Sequence, residues 1–243
     1  MIESFIRHSD PDQMSKDDYK YLIYLLEAFV NLTFSDLGIE PLLGKNAIEQ
    51  FIKILDHEYA REVLEEHYEK IAELCLRVLG NMSINHEGKE ECIEHCVIAR
   101  SYYYLNESSK ELRLNVSLIL MSCSIHLEGK NQIVNEIDEN ENPLILLAII
   151  RILQSKQFTG IRNNLKVCLT NVAELPQGFS DITRQLIEKI EILDEVFGPR
   201  AVKPLHNFLP KLSDFDENLQ IDELEILKSV MVIRSLAMLF KKY

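Results

Sequence analysis

Apolar residues recur along this chain at the spacings of one helix stripe. Leu112, Val116, Ile119 and Leu120 stand at i, i+4, i+7 and i+8, positions that share a face at 3.6 residues per turn. Ile71, Leu74, Cys75, Val78 and Leu79 repeat the pattern within 68–82. The segment 143–153, PLILLAIIRIL, is apolar almost all round and has Pro at its start. That predicts a helix buried inside a stack. The spacing predicts helices near 16–33, 46–55, 58–84, 90–104, 109–126, 130–137, 143–154, 160–174, 179–196 and 221–241. The last of these is apolar on much of its circumference from Leu224 to Phe240, so it is expected to pack on a partner or on a second copy. Between the last two, Gly198-Pro199, Pro204, Pro210 and the acidic run Asp214 to Glu217 mark an irregular insertion.

The pattern repeats. Residues 79–89, LGNMSINHEGK, align without a gap on residues 120–130, LMSCSIHLEGK. Residues 169–179, LTNVAELPQGF, fit the same frame. FVNLT at 29–33 is an earlier partial copy, and IRSLA at 233–237 suggests a fifth. The equivalent positions Asn31, Asn81, Ser122 and Asn171 are spaced by 50, 41 and 49 residues. Helical HEAT and armadillo units run about 40–47 residues, whereas ankyrin and tetratricopeptide units run about 33–34. The preceding segments LRLNVSLIL (112–120) and IRNNLKVCL (161–169) repeat as well. Gly88, Gly129 and Gly178 follow these helices and are expected to be turn or C-cap residues where the chain reverses. A second short helix follows each: Glu91 to Ile98, Gln132 to Ile137 and Asp181 to Leu193. Such helices cannot bury their stripes alone, and stacked neighbours can. The expected fold is an all-α, armadillo/HEAT-like α-solenoid of about four to five repeats. It forms one domain over 1–243, with repeats near 16–57, 58–107, 108–157 and 158–196, the insertion 197–220 and a C-terminal helix 221–243. A compact helical bundle is the alternative.

The strings LGNMS, LTNVA and FVNLT, each followed by a polar stretch and Gly, resemble the armadillo motif. In that family the third helix of a repeat carries L-x-N-L-(A/S). A narrower resemblance is carried by SIHLEGKNQIV (124–134), NHEGKEECIE (85–94) and AELPQG (173–178). These strings are similar to the radial spoke head 14 homologue family, armadillo-type proteins of ciliary and flagellar axonemes. That resemblance implies a structural role in the radial spoke, an axonemal location in the cytoskeleton, and protein partners within a large axonemal complex. The armadillo resemblance also implies that third-helix asparagines line a concave groove, where each amide can pair with an extended peptide backbone. Asn31, Asn81 and Asn171 match that position, and Ser122 interrupts the ladder. The tryptophans that accompany such a ladder in nuclear import receptors are absent. The simpler account, preferred on the sequence, is that these asparagines hydrogen-bond loops within the repeat.

Composition narrows the functions. Lys and Arg number 26 against 39 Asp and Glu, a net charge of −13. That opposes nonspecific binding to nucleic acid or anionic membrane and suits a basic partner or a plainly soluble surface. Eight Gly and seven Pro are too few for an all-β chain of this length. The run Leu144 to Ile150 is too short to span a bilayer. The opening MIESFIRHSDP carries no apolar secretory segment, and the five cysteines, odd in number, sit in apolar contexts. Reduced thiols and an intracellular location are expected.

Candidate chemistry is sparse. Cys92, His95 and Cys96 stand at i, i+3 and i+4, but no CxxC pair exists and only His86 is near as a fourth ligand. No metal is expected; core-facing thiols explain the pattern. Gly44-Lys45, Gly88-Lys89 and Gly129-Lys130 lack the rest of a phosphate-cradling loop, and their lysines are expected to cap or solvate a repeat turn. His57-Glu58 and His86-Glu87 start a zinc-protease motif whose second histidine would fall at Arg61 or Glu90. No catalytic residue, cofactor or small-molecule ligand is assigned. Tyr102, Tyr103 and Tyr104 are adjacent, and adjacent helical positions lie about 100° apart. Either one faces solvent or a partner, or the helix is sandwiched between neighbours. The partner-binding candidates are therefore Asn31, Asn81, Ser122, Asn171, Tyr102, Tyr103 and Tyr104. Three functions stand open: a structural adaptor of the axoneme, an armadillo-type peptide or cargo adaptor, and a helical enzyme with an unrecognised site.

Overall fold

The computed structural model describes residues 18–56, 68–107, 109–154 and 159–186. The expected insertion 197–220, the C-terminal helix 221–243 and the fifth copy lie outside the described residues.

Helices follow the stripes and fall into units of three. The first unit holds α1 (Asp18–Leu32), α2 (Asp36–Ile39) with a 3-10 turn at Glu40–Leu42, and α3 (Ala47–Leu55). The second holds α4 (Tyr68–Ile84), α5 (His86–Glu94) and α6 (Val97–Ser101), extended by a 3-10 turn at Tyr102–Asn106. The third holds α7 (Lys110–Cys123), α8 (Leu127–Asn135) and α9 (Leu144–Gln154). A fourth begins with α10 (Thr159–Val172) and α11 (Pro176–Leu186). The long first helices stack in order, α1 on α4, α4 on α7 and α7 on α10. They form one face of the array. The third helices pack behind them, α3 against α4 and α9 against α10.

Burial explains the element lengths. In α4, Ile71, Leu74, Cys75, Val78, Leu79 and Met82 are all buried, because the helix has neighbours on both sides and behind it. Helix α9 buries Ile145, Leu146, Ala148, Ile149, Ile150, Ile152 and Leu153, which matches its apolar circumference. Phe29 and Phe51 meet edge to face at 5.7 Å in the core of the first unit. Each buried aliphatic side chain contributes about 1.5–3 kcal/mol relative to exposure, and the core is continuous from Leu22 to Ile182.

The glycines are not the caps that their spacing suggests. Gly88, Gly129 and Gly178 lie inside α5, α8 and α11, each as the third residue, and Gly38 holds the same place in α2. None has positive φ; among the described glycines only Gly44 does. They are needed because the second helix crosses tightly over the end of the first. A Cβ on Gly38, Gly88, Gly129 or Gly178 would fall well under 3.0 Å from the carbonyl oxygen of Leu32, Met82, Cys123 or Val172. The second helices therefore start three residues earlier than expected for 130–137 and 179–196, at Leu127 and Pro176.

The expected helix 90–104 is also corrected. It divides at Cys96, which takes a left-handed conformation (φ 54°) and separates α5 from α6. Asn46 and Glu141 adopt the same conformation ahead of α3 and α9. Every described turn into a third helix thus passes through at least one left-handed residue, and the turn into α3 has a second at Gly44. Asn tolerates that conformation locally; Cys and Glu carry no such signal.

Candidate functional site

The stacked first helices place the repeated Asn and Ser side chains between neighbours. Asn81 Nδ2 on α4 donates to Thr33 Oγ1 at 3.1 Å, beyond the end of α1. Asn171 Nδ2 on α10 donates to Ser124 Oγ at 3.0 Å, beyond the end of α7. Ser122 Oγ donates to the backbone carbonyl of Ser83 on α4. Each bond runs to the preceding repeat and not to a loop of its own. Asn31 differs, because no described helix precedes α1. Its side chain is exposed and lines a cleft towards α4.

A second row of bonds sits about two turns earlier. Asn115 Nδ2 donates to the Glu73 carbonyl at 3.2 Å, and Asn164 Nδ2 to Ser117 Oγ at 3.0 Å. The neighbouring Arg113 donates to the Glu107 carbonyl, and Arg162 to the Leu153 carbonyl. The paired strings LRLN and IRNN are therefore positioning devices. Arginine ties a first helix to the chain before it, and asparagine ties it to the preceding first helix.

Between α1 and α4 lies an open cleft of about 240 Å³, lined by Glu27, Asn31, Phe34, Lys70, Leu74 and Arg77 among others. The Arg77 guanidinium lies 5.6 Å from the centroid of the Phe34 ring, a cation–π geometry. Lys70 Nζ pairs with Glu73 at 3.3 Å. Exposed apolar side chains continue from the cleft along the array. Phe34, Ile84 and Ile125 each stand three residues past Asn31, Asn81 and Ser122, and each is more than half exposed. Leu114 and Val167 are exposed on α7 and α10. Apart from Asn31, sequence reasoning missed this set. The repeat alignment could have found Phe34, Ile84 and Ile125, because they share one register position.

The tyrosine run is placed differently. At about three residues per turn in a 3-10 helix, successive side chains splay about 120° apart. Tyr104 is fully buried. Its hydroxyl donates to the Leu55 carbonyl at 2.9 Å, and its ring stacks on Tyr68 with centroids 6.3 Å apart. Tyr102 and Tyr103 are half-buried against the core. Burial, then a hydrogen bond with Tyr68, raises the Tyr104 hydroxyl pKa. Burial, then the Asp56 charge, pushes Tyr103 up to about 12.

The Cys92, His95, Cys96 trio is not brought together. Cys92 is fully buried, with Sγ 3.9 Å from the Leu79 carbonyl, and Cys96 is exposed beyond the end of α5. Burial raises the thiol of Cys92 well above its ordinary value and pushes Cys123 up to about 12. Among the described residues, no group of three His, Cys, Asp or Glu side chains is placed to hold a metal ion. Nor is any described helix long and apolar enough to cross a membrane. Of the three lysines expected to cap or solvate turns, Lys45 is exposed, whereas Lys89 is 9% exposed and Lys130 8%.

No family model matches the sequence, and no curated protein matches it. Among solved structures, the chain is similar to a designed armadillo repeat protein in complex with the peptide (KR)4. The TM-score is 0.64 at 11% identity, over 96% of this chain and 98% of that one. A second designed armadillo repeat protein aligns over the same shares at 13% identity, with a TM-score of 0.44. The fold is thus an all-α armadillo-type solenoid.

Proposed function

We propose that this chain is a non-enzymatic protein-binding scaffold that holds a partner segment along the face of α1, α4, α7 and α10. The observation that carries this is the exposed apolar series Phe34, Ile84 and Ile125 in repeat register, beside the α1–α4 cleft. Exposed apolar side chains scattered singly need no explanation, whereas an aligned series marks an interaction surface. An extended segment would meet one such side chain per repeat.

Charge selects the partner. Helices α1, α4, α7 and α10 carry seven basic residues (Lys20, Lys70, Arg77, Lys110, Arg113, Arg162, Lys166) against five acidic ones (Asp18, Glu27, Glu69, Glu73, Glu111), in a chain of net charge −13. Acids concentrate in α1 and α4, and α10 has none. The designed armadillo protein above is complexed with a peptide of alternating Lys and Arg. This face suits a neutral or acidic segment better, since like charges opposed across an interface are unfavourable. The test is a peptide-display selection on the full chain, with binding measured by fluorescence anisotropy. Phe34→Ala and Arg77→Glu should each weaken selected peptides at least tenfold without lowering the unfolding temperature. Selected peptides indifferent to both changes would overturn the reading.

A place in the axonemal radial spoke is the finer proposal. It rests on the strings at 85–94, 124–134 and 173–178. Purification of the tagged protein from its source cells, followed by mass spectrometry, tests it. Radial spoke proteins in fixed ratio support the axonemal role; transport factors or soluble cargo instead would favour the peptide-adaptor alternative.

A further inference from the structure

Glu27, Arg77, Leu118 and Val167 each stand four residues before Asn31, Asn81, Ser122 and Asn171. They share one register position in α1, α4, α7 and α10, and a guanidinium occurs there in α4 alone. Three residues past the same four residues stand Phe34, Ile84, Ile125 and Glu174. The cleft between α1 and α4 therefore joins two groups that α7 and α10 do not repeat, a cation from one helix and an aromatic ring from the other. Further along the face, the place of Arg77 is apolar.

Arg77 and Phe34 are both exposed. The guanidinium carbon lies 5.6 Å from the ring centroid. The ring takes one flat side of the guanidinium and leaves the edge, which carries the N–H donors, to meet something else. Among the described residues no acceptor meets that edge: Arg77 makes the ring contact and no hydrogen bond or ion pair. The other charged groups that line the cleft are Lys70 and Glu27. Lys70 is engaged by Glu73 at 3.3 Å. Glu27 is exposed and pairs with neither cation among the described residues. Two basic groups against one acidic group leave the lining with an excess of positive charge, in a chain of net charge −13. That excess attracts an anion, and Glu27 repels a dianion more than a single carboxylate. Asn31 lines the same cleft, and its exposed amide offers a donor and an acceptor to a passing backbone.

We propose that the α1–α4 cleft is the subsite for one aspartate or glutamate of an extended partner segment, and that it fixes the register of that segment on the array. The carboxylate accepts two parallel N–H bonds from Arg77, which Phe34 holds in place. Asn31 pairs with the backbone of the segment, and apolar residues follow over Ile84 and Ile125. Helices pack about 8–10 Å apart and an extended chain advances about 3.3 Å per residue, so those apolar residues stand about three and six places from the acid. This inference rests on the binding face proposed above and names the chemistry of one place on it.

A random-peptide display library is selected on the full chain, and the selected peptides are measured by fluorescence anisotropy. They should share one Asp or Glu, with apolar residues about three and six places to one side of it. Changing that acid to its amide should weaken binding at least tenfold, and on the Arg77→Gln protein the same change should cost less than twofold. Arg77→Glu should reverse the preference, binding the peptide with Lys in place of the acid more tightly than the parent peptide. Peptides that weaken on Phe34→Ala or Ile84→Ala but bind alike as acid and amide overturn the subsite and leave the face standing. An acid preference that survives Arg77→Gln does the same. Peptides indifferent to both Phe34→Ala and Ile84→Ala, or no selected peptides at all, would remove the face itself and this subsite with it.

Discussion

Replacing Gly129 with alanine sets two effects of opposite sign against each other. Gly129 lies inside α8 with ordinary helical backbone. By helix propensity alone, alanine there should stabilise by about 1 kcal/mol. The tertiary setting reverses this. The added Cβ would fall well under 3.0 Å from the Cys123 carbonyl oxygen, so the start of α8 and the end of α7 must part by on the order of 1 Å in an interior that is already close-packed. Overpacking typically costs about 1–3 kcal/mol, and more where backbone has to move. The same shift disturbs Lys130, the next residue, and its 2.6 Å pair with Glu174. We expect a net loss of about 2 kcal/mol, or about 4–8 °C in unfolding temperature for a chain of this size. The assay is guanidinium and thermal unfolding of the full chain followed by far-UV circular dichroism. Gly160→Ala is the control: its Cβ would meet only Leu114 Cδ1, at an ordinary 3.6 Å, and it should be neutral or slightly stabilising. A Gly129→Ala protein as stable as the parent would refute the close crossing and return Gly129 to an exchangeable helix residue.

Tyr104→Phe removes the donor to the buried Leu55 carbonyl and should cost about 1–3 kcal/mol in chemical unfolding; a change below about 0.5 kcal/mol would mean the bond is not formed. Cys96 is the one exposed thiol among the described residues, whereas burial raises Cys75 and Cys92 and pushes Cys123 and Cys168 up to about 12. A disulfide reagent should therefore label Cys96 rapidly and the other four only on unfolding; Cys96→Ser should abolish the fast phase. Asp138 accepts from Asn142 Nδ2 at 3.0 Å and from the backbone N–H groups of Asn140 and Asn142 at 2.8 Å. These bonds, led by the Asn142 side chain, hold its carboxyl below the ordinary 3.8. A depressed carboxyl stabilises the turn above its unfolded pKa, and that contribution is lost as the pH falls through the lower folded value. NMR titration should show Asp138 among the lowest carboxyls; Asn142→Ala should move it back up.

Part of the site is legible in the order of residues alone. The alignment of 79–89 on 120–130 and 169–179 puts Asn31, Asn81, Ser122 and Asn171 in register, and the fold keeps that register. It also lines up Lys89 with Lys130. What the alignment lacks is direction. It does not show that Asn81 and Asn171 reach back to Thr33 and Ser124, because those partners lie 48 and 47 residues away and become neighbours only when repeats stack. Nor does it show that Lys130 reaches forward to Glu174, 44 residues away in the following repeat.

The sequence by itself determined the helices and the repeat, since both follow from local spacing. Apolar side chains three and four residues apart must share a helix face, and a unit that cannot bury its face alone must stack. Only the tertiary structure decided what the punctuation meant. Gly88, Gly129 and Gly178 look like caps in one dimension, yet they are the points where one helix crosses another too closely for a Cβ. Tyr102, Tyr103 and Tyr104 read as a run until a 3-10 turn sends only Tyr104 fully into the core. Those outcomes depend on which atoms lie across the crossing, and chain separation carries no record of that distance.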